Sequence, residues 1–336
     1  MPSTNRILLI NYLKGFAIFT IALMHLLMNC HFKDSLGKAI MLGGGGVHVF
    51  ILCSGFGLYY SYLHKPLSYA TFLRRRFLKV YFPYFFAIFL WALWILFSTS
   101  SFPLTAISSH IFLWKMFSPH YDSSICSHYW FISAIIQFYL AWPVIVKLMS
   151  LKHGFIISVI ISLTWSLFVG FIGAEGLRPL GSCFLQYLWE FCLGILLARK
   201  CHEMQSTNGI FPKWIYANNI KWHWCIIGVP VGWGLMGLMT KVGGALKWFN
   251  DYPSLLGYLS CAILVYKIGR VCAERLFCWI NGFSYELYLI HSLVYSIVLF
   301  FTQDFIPLYI SLPLAFLGAF AVAYAYSSLL KIAKIK

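Results

Sequence analysis

The chain is short of charge, and shortest of acid. Only 10% of its 336 residues are charged and nine are Asp or Glu, whereas soluble domains carry about 25% charged residues. With 61% hydrophobic residues and a mean hydropathy of +0.79, this leaves almost no length for a separate soluble domain. The ten cysteines show no C-x-x-C and no Cys/His spacing of the zinc type. Many fall inside apolar runs, as Cys53, Cys192 and Cys261 do, and read as small packing residues. A G-x-S-x-G nucleophile elbow is missing. So are a cleavable signal pattern and an internal repeat.

What is present is a series of long apolar runs. They lie near 7–29, 43–63, 79–99, 128–149, 154–174, 180–199, 222–242, 252–269, 277–301 and 307–330, each long enough to cross a bilayer as a helix. The fold class expected is an all-α polytopic membrane protein of about ten transmembrane helices, built as one domain over 1–336. A net charge of +16 could suggest nucleic acid, but its distribution does not. With the N-terminus in the cytoplasm, eighteen of the 25 basic residues fall on the cytoplasmic side and six outside, with Lys14 left in the membrane. This is the positive-inside bias, and it places both termini in the cytoplasm. Trp130, Trp222, Trp224 and Tyr252 near run ends suit interfacial anchoring. The longest outer loop, about 100–127, carries His110, His120 and Asp122, and its apolar segment Ile107 to Phe117 suits the interface or a re-entrant path.

The first run holds Lys14 and His25. Eleven positions apart, they lie on one helix face about 16 Å from each other along the axis, with Asn11 near the same line. A cation and an imidazole in an apolar span each cost about 1 to 3 kcal/mol to insert, which marks the stripe as an active-site wall. An imidazole titrates near neutrality and suits a general base. The second run opens on Gly43-Gly44-Gly45-Gly46-Val47-His48. Ser54-Gly55 within it reads as a helix-packing site. The cytoplasmic run Arg74-Arg75-Arg76-Phe77-Leu78-Lys79 ends at Pro83 beside a helix start. It serves as a lipid-facing anchor or a grip on a polyphosphate. Two acids fall in apolar runs, Glu190 and Glu286, either pairing with Lys14 or an inner arginine or meeting substrate. Ser284, Tyr288 and His291 share one face, and His128-Tyr129-Trp130 at the mouth of the fourth run suits sugar stacking as well as anchoring.

These stretches together resemble acyltransferase family 3, whose members O-acylate sugars and cell-surface glycans. The likeness rests on Asn11-Tyr12-Leu13-Lys14-Gly15-Phe16-Ala17-Ile18 running to His25, Gly46-Val47-His48-Val49-Phe50 running to Ser54-Gly55-Phe56, and Arg76-Phe77-Leu78-Lys79-Val80-Tyr81-Phe82-Pro83-Tyr84. Trp130-Phe131-Ile132 and Ser284-Tyr285-Glu286-Leu287-Tyr288-Leu289-Ile290-His291 complete it. The resemblance implies a cytoplasmic acyl-CoA donor, usually acetyl-CoA, and delivery to an acceptor across the membrane. It maps the family's basic-x10-His motif onto Lys14 and His25, with Lys where many members have Arg, and its second basic pair onto Arg76 and Lys79. Asn11 stands where an acid is frequent, and the Trp-x-x-x-x-Glu pattern runs from Trp130 to Ile135 without its Glu. Both departures point to a subfamily with its own acceptor.

The expected activity is therefore O-acyl transfer in a bacterial cytoplasmic membrane, to a hydroxyl of a sugar or surface glycan. His25, Lys14 and Asn11 are the candidate catalytic residues, and Arg74, Arg75, Arg76 and Lys79 the candidate donor site. His48, Trp130, Glu190, Ser284, Glu286 and His291 are candidate acceptor contacts. Direct transfer and an acyl-His intermediate remain open. The expected partners are the bilayer, acyl-CoA, the acceptor and glycan-assembly proteins, with no metal and no nucleic acid. The rival readings are a transporter or flippase using His and Glu as a proton relay, and a non-catalytic subunit of a glycan-assembly complex.

Overall fold

The apolar runs fold as helices, and among the described residues no strand occurs. The fold is a computed structural model that describes residues 7–333 except 31, 33, 101–102, 119, 122–123, 174–177 and 210. Arg6, Asp122, Lys334 and Lys336 therefore lie outside the described residues. In chain order the helices are α1 (Leu8–Met28), α2 (Asp34–Met41), α3 (Gly46–His64), α4 (Tyr69–Arg76), α5 (Phe82–Thr99), α6 (Leu104–Ile111), α7 (Trp130–Leu140) and α8 (Trp142–Ser150). There follow α9 (Gly154–Phe171), α10 (Arg178–Gly181), α11 (Leu188–Asn208), α12 (Trp222–Val242), α13 (Asp251–Asn281), α14 (Ser284–Thr302) and α15 (Leu308–Ile332).

Among the described residues eight helical stretches are long and apolar enough to cross a bilayer, or nine if the bent pair α7–α8 is one span. The chain is an integral membrane protein, and about ten spans was approximately right. The differences have local causes. The expected span 128–149 bends by 60° between α7 and α8. Pro143 at the start of α8 has no N–H to give, and its ring opposes the carbonyl four residues back. The expected span 180–199 starts later, as α11, because Ser162 caps it there. The Ser162 hydroxyl accepts from the Trp189 N–H at 3.1 Å and donates to the Leu185 carbonyl at 2.8 Å, which satisfies a helix-end donor. With Glu190, Arg199, Lys200 and Glu203 along it, α11 is not among the eight apolar stretches. The spans expected at 252–269 and 277–301 are cut differently. Helix α13 runs to Asn281 with a break at Arg270, whose φ is +44°, and α14 starts at Ser284.

Helix α1 packs against α3, α13 and α14, and α3 packs along α11. Two glycines set the α3–α11 distance. A Cβ on Gly55 would stand 2.1 Å from the Phe191 carbonyl oxygen, and one on Gly194 2.1 Å from that of Leu52. Such close backbone approach needs small residues on both helices. Gly55→Leu is therefore expected to destabilise the protein by about 1–3 kcal/mol or more. A lower midpoint of thermal unfolding in detergent would show it, and an unchanged midpoint would contradict this packing. At Gly15 a Cβ would overlap the Phe277 carbonyl, so the tail of α13 lies directly against α1 at the residue after Lys14.

Candidate functional site

A cavity of about 700 Å³ lies between α1, α3, α5, α7 and α14. Its lining on α3 runs from Val47 to Ser61, about 21 Å at 1.5 Å per residue. At the Ser61 end it is bordered by Arg76 and Lys79. Toward the other end lie Ile21, Phe131 and Tyr288. Lys14, Cys53, Tyr139, Ser284 and Glu286 also line it.

The basic border has a local explanation. Phe77–Tyr81 forms a π-helical turn between α4 and α5. Pro83 cannot close the ordinary backbone bond, and π turns absorb such a loss. The result puts Arg76, Lys79, Val80 and Pro83 on the cavity side. Arg76 stands over the Phe72 and Tyr139 rings at 5.6 and 5.9 Å. Its Nε is buried and has no hydrogen-bond partner among the described residues. Arg74 and Arg75 are exposed and do not line the cavity.

One turn beyond Ile21 on α1, three imidazoles meet. His25 stacks on His291 at 5.1 Å and lies 5.0 Å from His128, and His128 is 4.5 Å from His291, all between ring centroids. Backbone carbonyls fix the tautomers of two neutral rings, because a carbonyl can only accept. His291 Nδ1 donates to the Leu287 carbonyl at 2.8 Å. Its Nε2 is then an acceptor and takes the Nδ1–H of His25 at 3.0 Å. His25 is left with a lone pair on Nε2. His128 Nε2 donates to the Tyr288 carbonyl at 3.0 Å. Its Nδ1 then accepts from Cys126 Sγ at 3.0 Å or Ser292 Oγ at 3.4 Å. Burial pushes the Cys126 thiol up to about 12, so the sulfur keeps its proton and can donate it. Tyr288 locks the pair further by donating its hydroxyl to the His128 carbonyl at 2.6 Å.

A second polar cluster lies apart from the cavity. His48 Nδ1 is 2.8 Å from Glu190 Oε1 and its Nε2 is 3.6 Å from Asp251 Oδ1. Gln186 Nε2 donates to Asp251 Oδ2 at 2.7 Å. Glu190 is fully buried, and its Oε2 has no partner among the described residues. The expected pairing of Glu190 with Lys14 or an inner arginine is thus replaced by pairing with His48. The reason is rotational: on α11, Glu190 faces α3 above the Gly55–Gly194 contact.

The cavity therefore gathers Lys14, Arg76, Lys79, Ser284 and Glu286, with Asn11 held by Asn281 Nδ2 at 3.2 Å. His25 and His291 are brought together next to it. His48 and Glu190 form the separate cluster, and Trp130 stacks on Tyr187 at 5.7 Å. The outer segment folds back on the bundle: His110 is buried and bonded to the Tyr84 hydroxyl at 3.2 Å, and Lys115 Nζ donates to the Cys126 carbonyl at 3.0 Å. Sequence reasoning did not single out Cys126, Asp251 or Gln186, and it gave His128 only a sugar-stacking or anchoring role. The Tyr288 carbonyl that fixes the His128 ring stands 160 residues away on α14, and no local spacing announces it.

A long-helix membrane protein with a cavity basic at one end and a histidine cluster near the other is the class these features define. The acyltransferase domain of family 3 matches residues 7–331, nearly the whole chain, and the chain belongs to that family. It is a membrane acyltransferase. No curated protein and no solved structure matches it.

Proposed function

We propose that the protein transfers an acyl group, acetyl first, from cytoplasmic acyl-CoA to a hydroxyl of a sugar or cell-surface glycan. The observation that carries this reading is the cavity, which joins a basic border to the neighbourhood of a histidine whose Nε2 lone pair is unspent. Arg76 and Lys79 hold the donor's phosphates. The unpartnered Arg76 Nε suits such an acceptor, since a buried donor without a partner costs about 1–3 kcal/mol. The pantetheine arm runs along α3 past Lys14.

His25 Nε2 takes the proton of the acceptor hydroxyl. The oxygen attacks the thioester carbonyl, the carbon–sulfur bond breaks, and the proton passes to the departing CoA thiolate, giving an ester and free CoA. His291 holds His25 in the tautomer this needs. Lys14 and Glu286 orient the donor and acceptor from the cavity wall, with Asn11 and Ser284 beside them. His48, Glu190 and Trp130 do not line the cavity and take no part in this step. The positive-inside bias supports an orientation with the basic border inside the cell, and that orientation suits a cytoplasmic donor, a bacterial inner membrane and work alongside glycan-assembly proteins.

Membranes carrying the protein, given labelled acetyl-CoA and extracted surface glycan, are expected to yield labelled ester and free CoA. Solute uptake without ester formation would overturn the reading in favour of a carrier.

A further inference from the structure

We propose that His25, His128 and His291 form a binding site for a zinc ion that competes with the reacting proton at His25. The site goes beyond acyl transfer, and its binding can be read whatever the reaction is. One nitrogen from each ring lies within 4.8 Å of the others. Ligand nitrogens around a tetrahedral zinc at about 2.0–2.1 Å stand roughly 3.3–3.4 Å apart, so ring movements of about an ångström close the set.

The outer shell is already in place. Histidines that hold metals commonly donate their other N–H to a carbonyl, which fixes the ring and its tautomer. His291 does so to Leu287 and His128 to Tyr288, neighbouring carbonyls of α14. Their remaining nitrogens, His291 Nε2 and His128 Nδ1, are lone-pair donors, and imidazole is a good zinc ligand. The three rings come from α1, the turn before α7, and α14, so the folded bundle assembles them.

Charge bears on the fourth ligand. Three neutral rings leave the ion uncompensated, and Lys115, bonded to the Cys126 carbonyl, adds positive charge nearby. A fourth ligand completes the tetrahedron, and Cys126 Sγ, 3.0 Å from His128 Nδ1, is the protein group placed to supply it. Hydroxide is the other source.

Zinc on His25 Nδ1 takes the lone pair that forms when the proton of that atom moves to Nε2. His25 Nε2 then carries a hydrogen and cannot accept another. The ion thus silences the base without changing the donor cavity.

The test uses the purified full chain in detergent, stripped with chelator and then equilibrated with zinc chloride alone. Wild type is expected to retain one zinc per chain by elemental analysis. His128→Gln and His291→Gln are each expected to weaken retention at least tenfold. The double variant His64→Gln/His202→Gln, which removes a separate ring pair 5.0 Å apart, is expected to keep it. Retention that survives both site variants, or no retention by wild type at micromolar zinc, overturns the proposal. Cobalt loaded into wild type gives a readout free of folding losses. Intense visible absorption marks a low-coordinate nitrogen site, and the weak spectrum of a six-coordinate ion would sink it. A sulfur-to-cobalt band abolished by Cys126→Ser identifies the fourth ligand as the thiolate, and its absence in wild type assigns that place to hydroxide.

Discussion

His25→Ala is expected to lower the rate of acyl transfer by about 10²- to 10⁴-fold, the range set by loss of a positioned general base. The donor KM should stay near the wild-type value, because the ring is not among the residues lining the 700 Å³ cavity. The same geometry predicts a graded result at His291, which acts through His25. In His291→Leu the His25 Nδ1–H loses its acceptor and the Nε2 lone pair is no longer favoured, so kcat should fall about tenfold or more. His291→Gln keeps an oxygen able to accept that hydrogen and should recover part of the loss. A general fold defect would lower both variants alike and would move the unfolding midpoint. Rates measured with labelled acetyl-CoA at saturating donor decide the matter. A native rate in His25→Ala would remove the base from the mechanism and leave the cavity without its reacting group.

Much of this arrangement could be read in the sequence because the bilayer imposes strict rules on it. Twenty apolar residues in a row leave few alternatives to a spanning helix, and an uncompensated Lys14 or His25 in such a run stands out by its cost. Arg76 and Lys79 were legible for a similar reason, since a basic run at a helix start has few uses. The ends of spans were less so. Pro143, Ser162 and Arg270 move three boundaries by acting on backbone groups, and only the proline announces itself in the sequence. Partnership between helices was the least legible. Glu190 meets His48 from 142 positions away, and His25 meets His291 from 266. Periodicity gives the face of each helix but not the helix opposite. The run Arg74-Arg75-Arg76 shows the limit clearly. Of three identical neighbours, the turn of α4 brings only Arg76 to the cavity lining.

That difference yields the second large effect. Arg76→Ala is expected to raise the donor KM about ten- to hundredfold, since a hydrogen bond to a charged group contributes about 1.5–3 kcal/mol and each 1.4 kcal/mol is about tenfold. Lys79→Ala should raise it by a smaller factor, because Lys79 is more exposed than Arg76 and water screens its charge. Arg74→Ala and Arg75→Ala should stay within about twofold, as exposed cations contribute little. Arg76→Lys separates charge from shape. An ammonium keeps the charge but loses the planar fork and the stacking over Phe72 and Tyr139, so a KM between those of wild type and Arg76→Ala is expected. Equal KM values across all four alanine variants would assign the whole run to membrane orientation. The phosphates would then have to be held elsewhere, and the π turn at Phe77–Tyr81 would be left without a functional reason. If instead only Arg76→Ala and Lys79→Ala respond, and kcat at saturating donor holds, the basic border binds the donor before the histidine cluster acts on it.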